Sequence, residues 1–76
     1  MDKLSSMSAF VCAAEHGGFT AASKVMEMNV SSITKHVARL ENELGARLVN
    51  RTTRSFALTE YGEKYYALCQ SILRDL

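Results

Sequence analysis

The chain is 76 residues long, contains no proline, and sets 9 Lys and Arg against 8 Asp and Glu for a formal charge of +1. That length admits one small domain with a thin core and little room for a deep substrate cleft, while 47% apolar and 22% charged residues exclude a disordered or low-complexity chain. So small a net charge counts, on its face, against a nucleic-acid partner.

The elements follow in chain order. Apolar residues at Leu4, Met7, Phe10, Val11 and Ala14 recur every three or four positions, which predicts an amphipathic helix over about residues 2–16, ended by Gly17-Gly18. Thr20 is the expected N-cap of a short second helix from Ala21 to about Glu27. Asn29 is the expected cap of a third helix, whose apolar arc holds Ile33, Val37, Leu40 and Leu44 and whose outer face holds Ser31, Lys35, Ala38 and Asn42, with Thr34 and Arg39 at its flanks. Gly45 closes it. The segments 47–50 and 55–58 read as strands of a hairpin whose tip, Arg51-Thr52-Thr53-Arg54, is basic. Thr59 caps a last helix over about residues 60–76. That helix carries two adjoining apolar stripes, Tyr61, Tyr65, Leu68 and Ile72 beside Tyr66, Cys69, Leu73 and Leu76. Together they span about 160° of its circumference, more than a core-facing stripe needs. The second stripe, Tyr66 to Leu76, is therefore expected at a dimer interface; the alternative is that both stripes fold onto one core.

Cys12 and Cys69 form no CxxC and lie within apolar periodicity, so they read as core residues in a reducing compartment, with a redox pair as the alternative. His16 and His36 have no partner at metal-ligand spacing, and His36, on the flank of the apolar arc, reads as a packing residue. No run approaches the roughly 18 apolar residues of a membrane span, and residues 1–6 lack the basic and apolar regions of a signal peptide. A cytoplasmic protein without membrane, metal or cofactor is expected.

Two helices joined by the short turn Met28-Asn29-Val30, the second polar on its outer face, form a helix-turn-helix pattern, and the basic hairpin adds a wing. The major groove is about 12 Å wide and admits one helix. Ser31 and Ser32 are small enough to let that helix approach base edges, while Thr34, Lys35 and Arg39 supply donors. Residues 29–58 hold Lys35, Arg39, Arg47, Arg51 and Arg54 against Glu41 and Glu43, a balance of +3, and the rest of the chain carries −2. Positive charge is thus focused on the groove-reading elements. The competing readings are local: serines as ordinary first-turn residues, Lys35 and Arg39 as a solvated face with Arg39 paired to Glu43, and Arg51 and Arg54 as charged guards of a hairpin edge. At the level of function, the rivals are a protein-interaction module and a small enzyme or redox protein. The latter lacks paired carboxylates, a Cys–His arrangement or a Gly-rich phosphate loop.

The sequence resembles the N-terminal winged helix-turn-helix of LysR-type transcriptional regulators. Phe10, Gly18-Phe19-Thr20-Ala21-Ala22, Ile33-Thr34-Lys35-His36-Val37, Leu40-Glu41-x-x-Leu44-Gly45-x-x-Leu48, Arg51, Arg54 and Leu58-Thr59-x-x-Gly62 carry the resemblance, which covers the whole chain without gaps. It implies a mostly α fold with a winged helix-turn-helix over residues 1–58 and a linker helix over 59–76. It also implies a homodimer on double-stranded DNA with an interrupted inverted repeat, and an effector ligand held by a C-terminal domain beyond this chain. By the same resemblance, Val30, Ser31, Ser32, Thr34 and Lys35 read bases, Arg54 reaches the minor groove or its phosphates, and Arg51 contacts phosphate or braces the wing. Apart from the resemblance, Thr20 reads as a cap first, and the N-terminus of its helix is a further candidate to face phosphate. The sequence departs from the family at Asn29, usually Ser, at Val30, usually Gln, and at Ser31, often Pro. Asn29 still caps, and Val30 offers a methyl contact to thymine in place of a hydrogen bond.

Overall fold

The computed structural model describes residues 3–50 and 56–75. Its helices are α1, Lys3–His16; α2, Phe19–Met26; α3, Val30–Leu44; and α4, Glu60–Arg74. α1 is the hub and packs on all three others. The sequence predicts it as an amphipathic helix, and it is one, but its buried face is wider than the predicted stripe: Ser6, Met7, Ala9, Phe10, Val11, Cys12 and Ala13 are all enclosed, whereas Leu4, of that stripe, is exposed. Ala9 and Ala13 explain the difference, because their small side chains let neighbouring helices approach on a second face. They join Cys12, Ala22 and Ile33 in one cluster, while Met7, Phe10, Val11, Val37, Leu40, Leu48, Val49 and Cys69 form the other.

α1 and α3 end on glycines in the left-handed region, Gly17 at φ 80° and Gly45 at φ 69°. The amide of the following residue reaches back to the carbonyl five positions before it, Gly18 N to Ala13 O at 3.0 Å and Ala46 N to Glu41 O at 3.3 Å. α2 ends in the same way, with Met28 N bonded to Ser23 O at 3.0 Å, but its left-handed residue is Glu27, at φ 55°.

The expected Thr20 cap is corrected. α2 begins at Phe19 behind an extended Gly18 that supplies no side-chain bond, and Thr20 is already its second residue. The chain enters the helix early because Phe19 is anchored in the core, edge-on to Phe56 with centroids 5.5 Å apart. Gly18 O already accepts from Ala22 N at 3.1 Å.

Of the expected hairpin, the described residues show its base. Val49 and Leu58 form an antiparallel bridge, flanked by Asn50 N to Ala57 O at 2.9 Å and Thr59 N to Leu48 O at 3.0 Å. Residues 51–55, with the basic tip, lie outside the described residues.

On α4, the described members of the stripe expected at a dimer interface pack on the core instead, and Tyr65 of the other stripe joins them there, 5.9 Å from Phe10. Cys69 is fully enclosed by its own chain, and Tyr66 and Leu73 are half-buried against the same core. Tyr66 meets Phe10 edge-on at 6.5 Å. Tyr61, Leu68 and Ile72, from the other stripe, are exposed at 45%, 53% and 38%. Leu76 lies outside the described residues. Gly62 decides the rotation of the helix. Its bare backbone sits against Leu48, where a Cβ would overlap the Leu48 carbonyl oxygen. Pressing Gly62 onto Leu48 turns positions 66, 69 and 73, at helical spacing from it, toward the core.

Candidate nucleic-acid interface

α3 presents its polar face as expected. Asn29, in an extended conformation, caps it: Oδ1 accepts from the Ser32 amide at 2.8 Å and from the Ser31 hydroxyl at 3.0 Å. One carbonyl oxygen thus satisfies an orphan amide at the helix start and orients the first serine. Val30 is 40% exposed, and Ser31, Lys35 and Arg39 are exposed. Ser32 is half-buried. Thr34 is also half-buried, and its hydroxyl donates to Val30 O at 2.9 Å, so its methyl and the two lone pairs of its oxygen are what it can offer a ligand. No acidic residue stands in the first turn of α3, which leaves its positive dipole end unopposed. Thr20 is exposed in the first turn of α2, and Arg51 and Arg54 lie outside the described residues.

The buried face of α3 holds Ile33, His36, Val37, Leu40 and Glu41. His36 is the packing residue expected of it: its Nδ1 lies 2.9 Å from Ser6 Oγ, and this enclosed hydrogen bond ties α3 to α1. From sequence, Glu41 is a negative charge and a residue of the family pattern, with no structural role assigned to it. It is 8% exposed, and its Oε2 accepts from the amides of Leu48 at 2.9 Å and Val49 at 3.2 Å, while Oε1 lies 3.9 Å from the Arg47 guanidinium. A carboxylate one turn beyond Val37 falls on the apolar arc, and that misplacement was the signal that could have found it.

Thr59 performs a similar service for α4. Its Oγ1 accepts from the Gly62 amide at 2.9 Å and its hydroxyl donates to Arg47 O at 2.6 Å. Both ends of the hairpin base are therefore held, by Glu41 on the α3 side and by Thr59 with Gly62 on the α4 side.

Other chemistry is sparse. Among the described residues no group of three or more His, Cys, Asp or Glu side chains could hold a metal ion, and no helix is long and apolar enough to cross a membrane. Cys12 and Cys69 are free and buried. Burial, with Glu15 nearby, pushes the Cys12 thiol up. Burial also raises Cys69, against the opposing pull of its Tyr65 hydrogen bond and of Lys3. Tyr65 is pushed up to about 12, first by burial and then by Cys69. Raised thiols are poor nucleophiles at neutral pH.

A capped, outward-facing helix set behind a shorter one, with a strand bridge beyond it, defines a helix-turn-helix module. Residues 4–63 match the family model of bacterial regulatory helix-turn-helix proteins of the lysR family, and the chain belongs to that family. It is 46% identical over all 76 residues to the HTH-type transcriptional activator AaeR of Escherichia coli, covering 25% of that protein. It is 40% identical over the same 76 residues to an HTH-type transcriptional repressor of Pseudomonas aeruginosa, covering 24%. The chain thus spans about a quarter of the length of the curated relatives it matches. Among solved structures, the BenM DNA-binding domain in complex with benA site 1 DNA superposes with a TM-score of 0.91 at 27% identity, over 99% of this chain and 83% of that one. The CbnR DNA-binding domain–DNA complex gives 0.88 at 30% identity, over 97% and 84%. Full-length AphB, the virulence activator of Vibrio cholerae, gives 0.86 at 36% identity, over 99% and 26%. The matched relatives are transcriptional regulators, and the fold is that of their helix-turn-helix domains.

Proposed function

We propose that this chain is a sequence-specific double-stranded DNA-binding domain of a transcriptional regulator, with α3 in the major groove and the wing at the adjacent minor groove. The observation that carries this reading is the exposed start of α3, where Val30, Ser31, Lys35 and Arg39 face outward behind the Asn29 cap with no acidic residue in the first turn. Two relatives of the same fold were solved on DNA, which supports it. In this reading Ser31, Ser32 and Thr34 admit the helix to the base edges, and Val30 touches a thymine methyl. Lys35 and Arg39 meet bases or phosphates. Arg54 enters the minor groove, with Arg51 beside it. The start of α2, which has no side-chain cap, offers its amides and Thr20 to phosphate.

The domain binds as a homodimer through α4, so that two copies of α3 read an interrupted inverted repeat. The exposed Tyr61, Leu68 and Ile72, beside a groove of about 200 Å³ lined by Tyr61, Lys64, Tyr65 and Leu68, make the contact in place of the core-facing stripe. Such a regulator works at the chromosome, in the cytoplasm, and receives its effector on a further domain. The test is selection of bound duplexes from a random pool, followed by titration of Lys35→Ala and Arg54→Ala across salt. Each lost phosphate contact flattens the log–log salt slope by about 0.9. A lost base contact costs about 1–3 kcal/mol and relaxes specificity at one position. Wild-type affinity and slope in both variants would refute the assignment.

A further inference from the structure

Glu41 is a carboxylate on the buried side of α3, yet both of its amide partners lie outside that helix, at the entry of the hairpin. Burying an ionisable group in a domain this thin is unfavourable unless its bonds are worth more than an apolar side chain in the same place. The packing alone has no need of it: Val37 and Leu40 already fill the adjoining positions and are fully enclosed. What the carboxylate adds is direction. Apolar contacts let Leu48 and Val49 slide along α3, whereas two hydrogen bonds to one oxygen fix their distance and angle to it. The bridge from Val49 to Leu58 then carries that placement to the returning strand.

From this geometry we infer that Glu41 is the positioning residue that sets the wing against the recognition helix, so that DNA affinity depends on its carboxylate reaching the Leu48 and Val49 amides. The inference rests on the DNA-binding reading and adds to it a residue that touches no DNA. Reach, more than charge, is the property at stake. Glu41→Asp keeps the charge and withdraws it by one methylene; Glu41→Gln keeps the reach and an accepting oxygen but removes the charge.

The test measures binding of each variant to a duplex selected from a random pool by the wild-type chain, below its unfolding temperature and across a range of salt. Amide proton shifts of Leu48 and Val49 are recorded alongside. Glu41→Asp lowers affinity by about tenfold, the scale of one lost contact, flattens the salt slope by about 0.9, and shifts both amides. Glu41→Gln stays within about threefold of wild type. Wild-type affinity and slope in Glu41→Asp overturn the inference, as does a Glu41→Gln variant as weak as Glu41→Asp. Should Glu41→Asp fail to fold, Glu41→Gln decides alone: within about threefold supports the inference, and a larger loss overturns it. A wild-type chain with no salt-dependent retention on duplex DNA removes the DNA-binding reading first, and this inference with it.

Discussion

Replacing Gly62 by alanine sets two large effects against each other. Gly62 is the third residue of α4, and helix propensity alone favours the alanine by about 1 kcal/mol. The contact with Leu48 opposes it. The new Cβ falls on a backbone carbonyl, which cannot rotate away as a side chain does, so α4 must lift from the hairpin base. Overpacking of this kind costs about 1–3 kcal/mol. Lifting also stretches three hydrogen bonds that converge there, Thr59 N to Leu48 O, the Thr59 hydroxyl to Arg47 O and Gly62 N to Thr59 Oγ1, each worth about 0.5–1.5 kcal/mol. The opposing terms outweigh propensity, for a net loss of about 2–4 kcal/mol. In a domain of this size, whose whole stability is about 4–11 kcal/mol, that lowers the melting temperature by roughly 10–25 °C. Urea and thermal unfolding followed by circular dichroism at 222 nm measure it directly. A Gly62→Ala chain as stable as wild type, or more so, would show that propensity governs the position and that α4 does not rest on Leu48.

Three further outcomes are expected. Leu68→Glu, on the exposed stripe, lowers the sedimentation-derived association constant without changing the melting temperature, whereas Leu73→Glu, against the core, destabilises the fold; the reverse pattern would restore the stripe assignment expected from sequence. Glu27→Gly relieves a left-handed backbone that L side chains adopt reluctantly and raises unfolding free energy by about 0.5–1 kcal/mol, and a loss of stability in urea would contradict the αL stop of α2. Stability also falls on the alkaline side. Cys12, Cys69 and Tyr65 all hold their protons more tightly folded than unfolded. Their contribution is whole below about pH 8.5, where unfolded thiols begin to ionise, and it drains away as pH rises toward the Tyr65 value of about 12. A urea midpoint that is flat or rising from pH 8.5 to 11, in the presence of a phosphine reductant, would refute this.

Helix order was legible because three-to-four periodicity and caps act over a few residues, and Asn29, Gly45 and Thr59 do at their positions what their chemistry suggests. The misreadings share one cause. Thr20 is a good cap by type, but Phe19 is held in the core and starts the helix before it. The two stripes of α4 are alike in apolarity, and contacts distant in sequence, such as that of Gly62 with Leu48, 14 positions away, choose between them. The buried face of α1 is wider than its predicted stripe because alanine is weak as a hydrophobic signal and strong as permission for close packing. The polar face of α3 could be read from periodicity alone; the role of Glu41 could not, because its partners belong to another element.

The exposed start of α3 has an evolutionary consequence. The side chains of Val30, Ser31, Lys35 and Arg39 lie outside the core; the helix is started by Asn29 and held by Ile33, Val37 and Leu40. Substitutions at such positions change stability by no more than about 0.5 kcal/mol. In the proposed reading, residues that discriminate ligands are therefore separable from residues that keep the chain folded. A lineage built on this scaffold can exchange one recognition surface for another by single mutations, each intermediate remaining a folded protein.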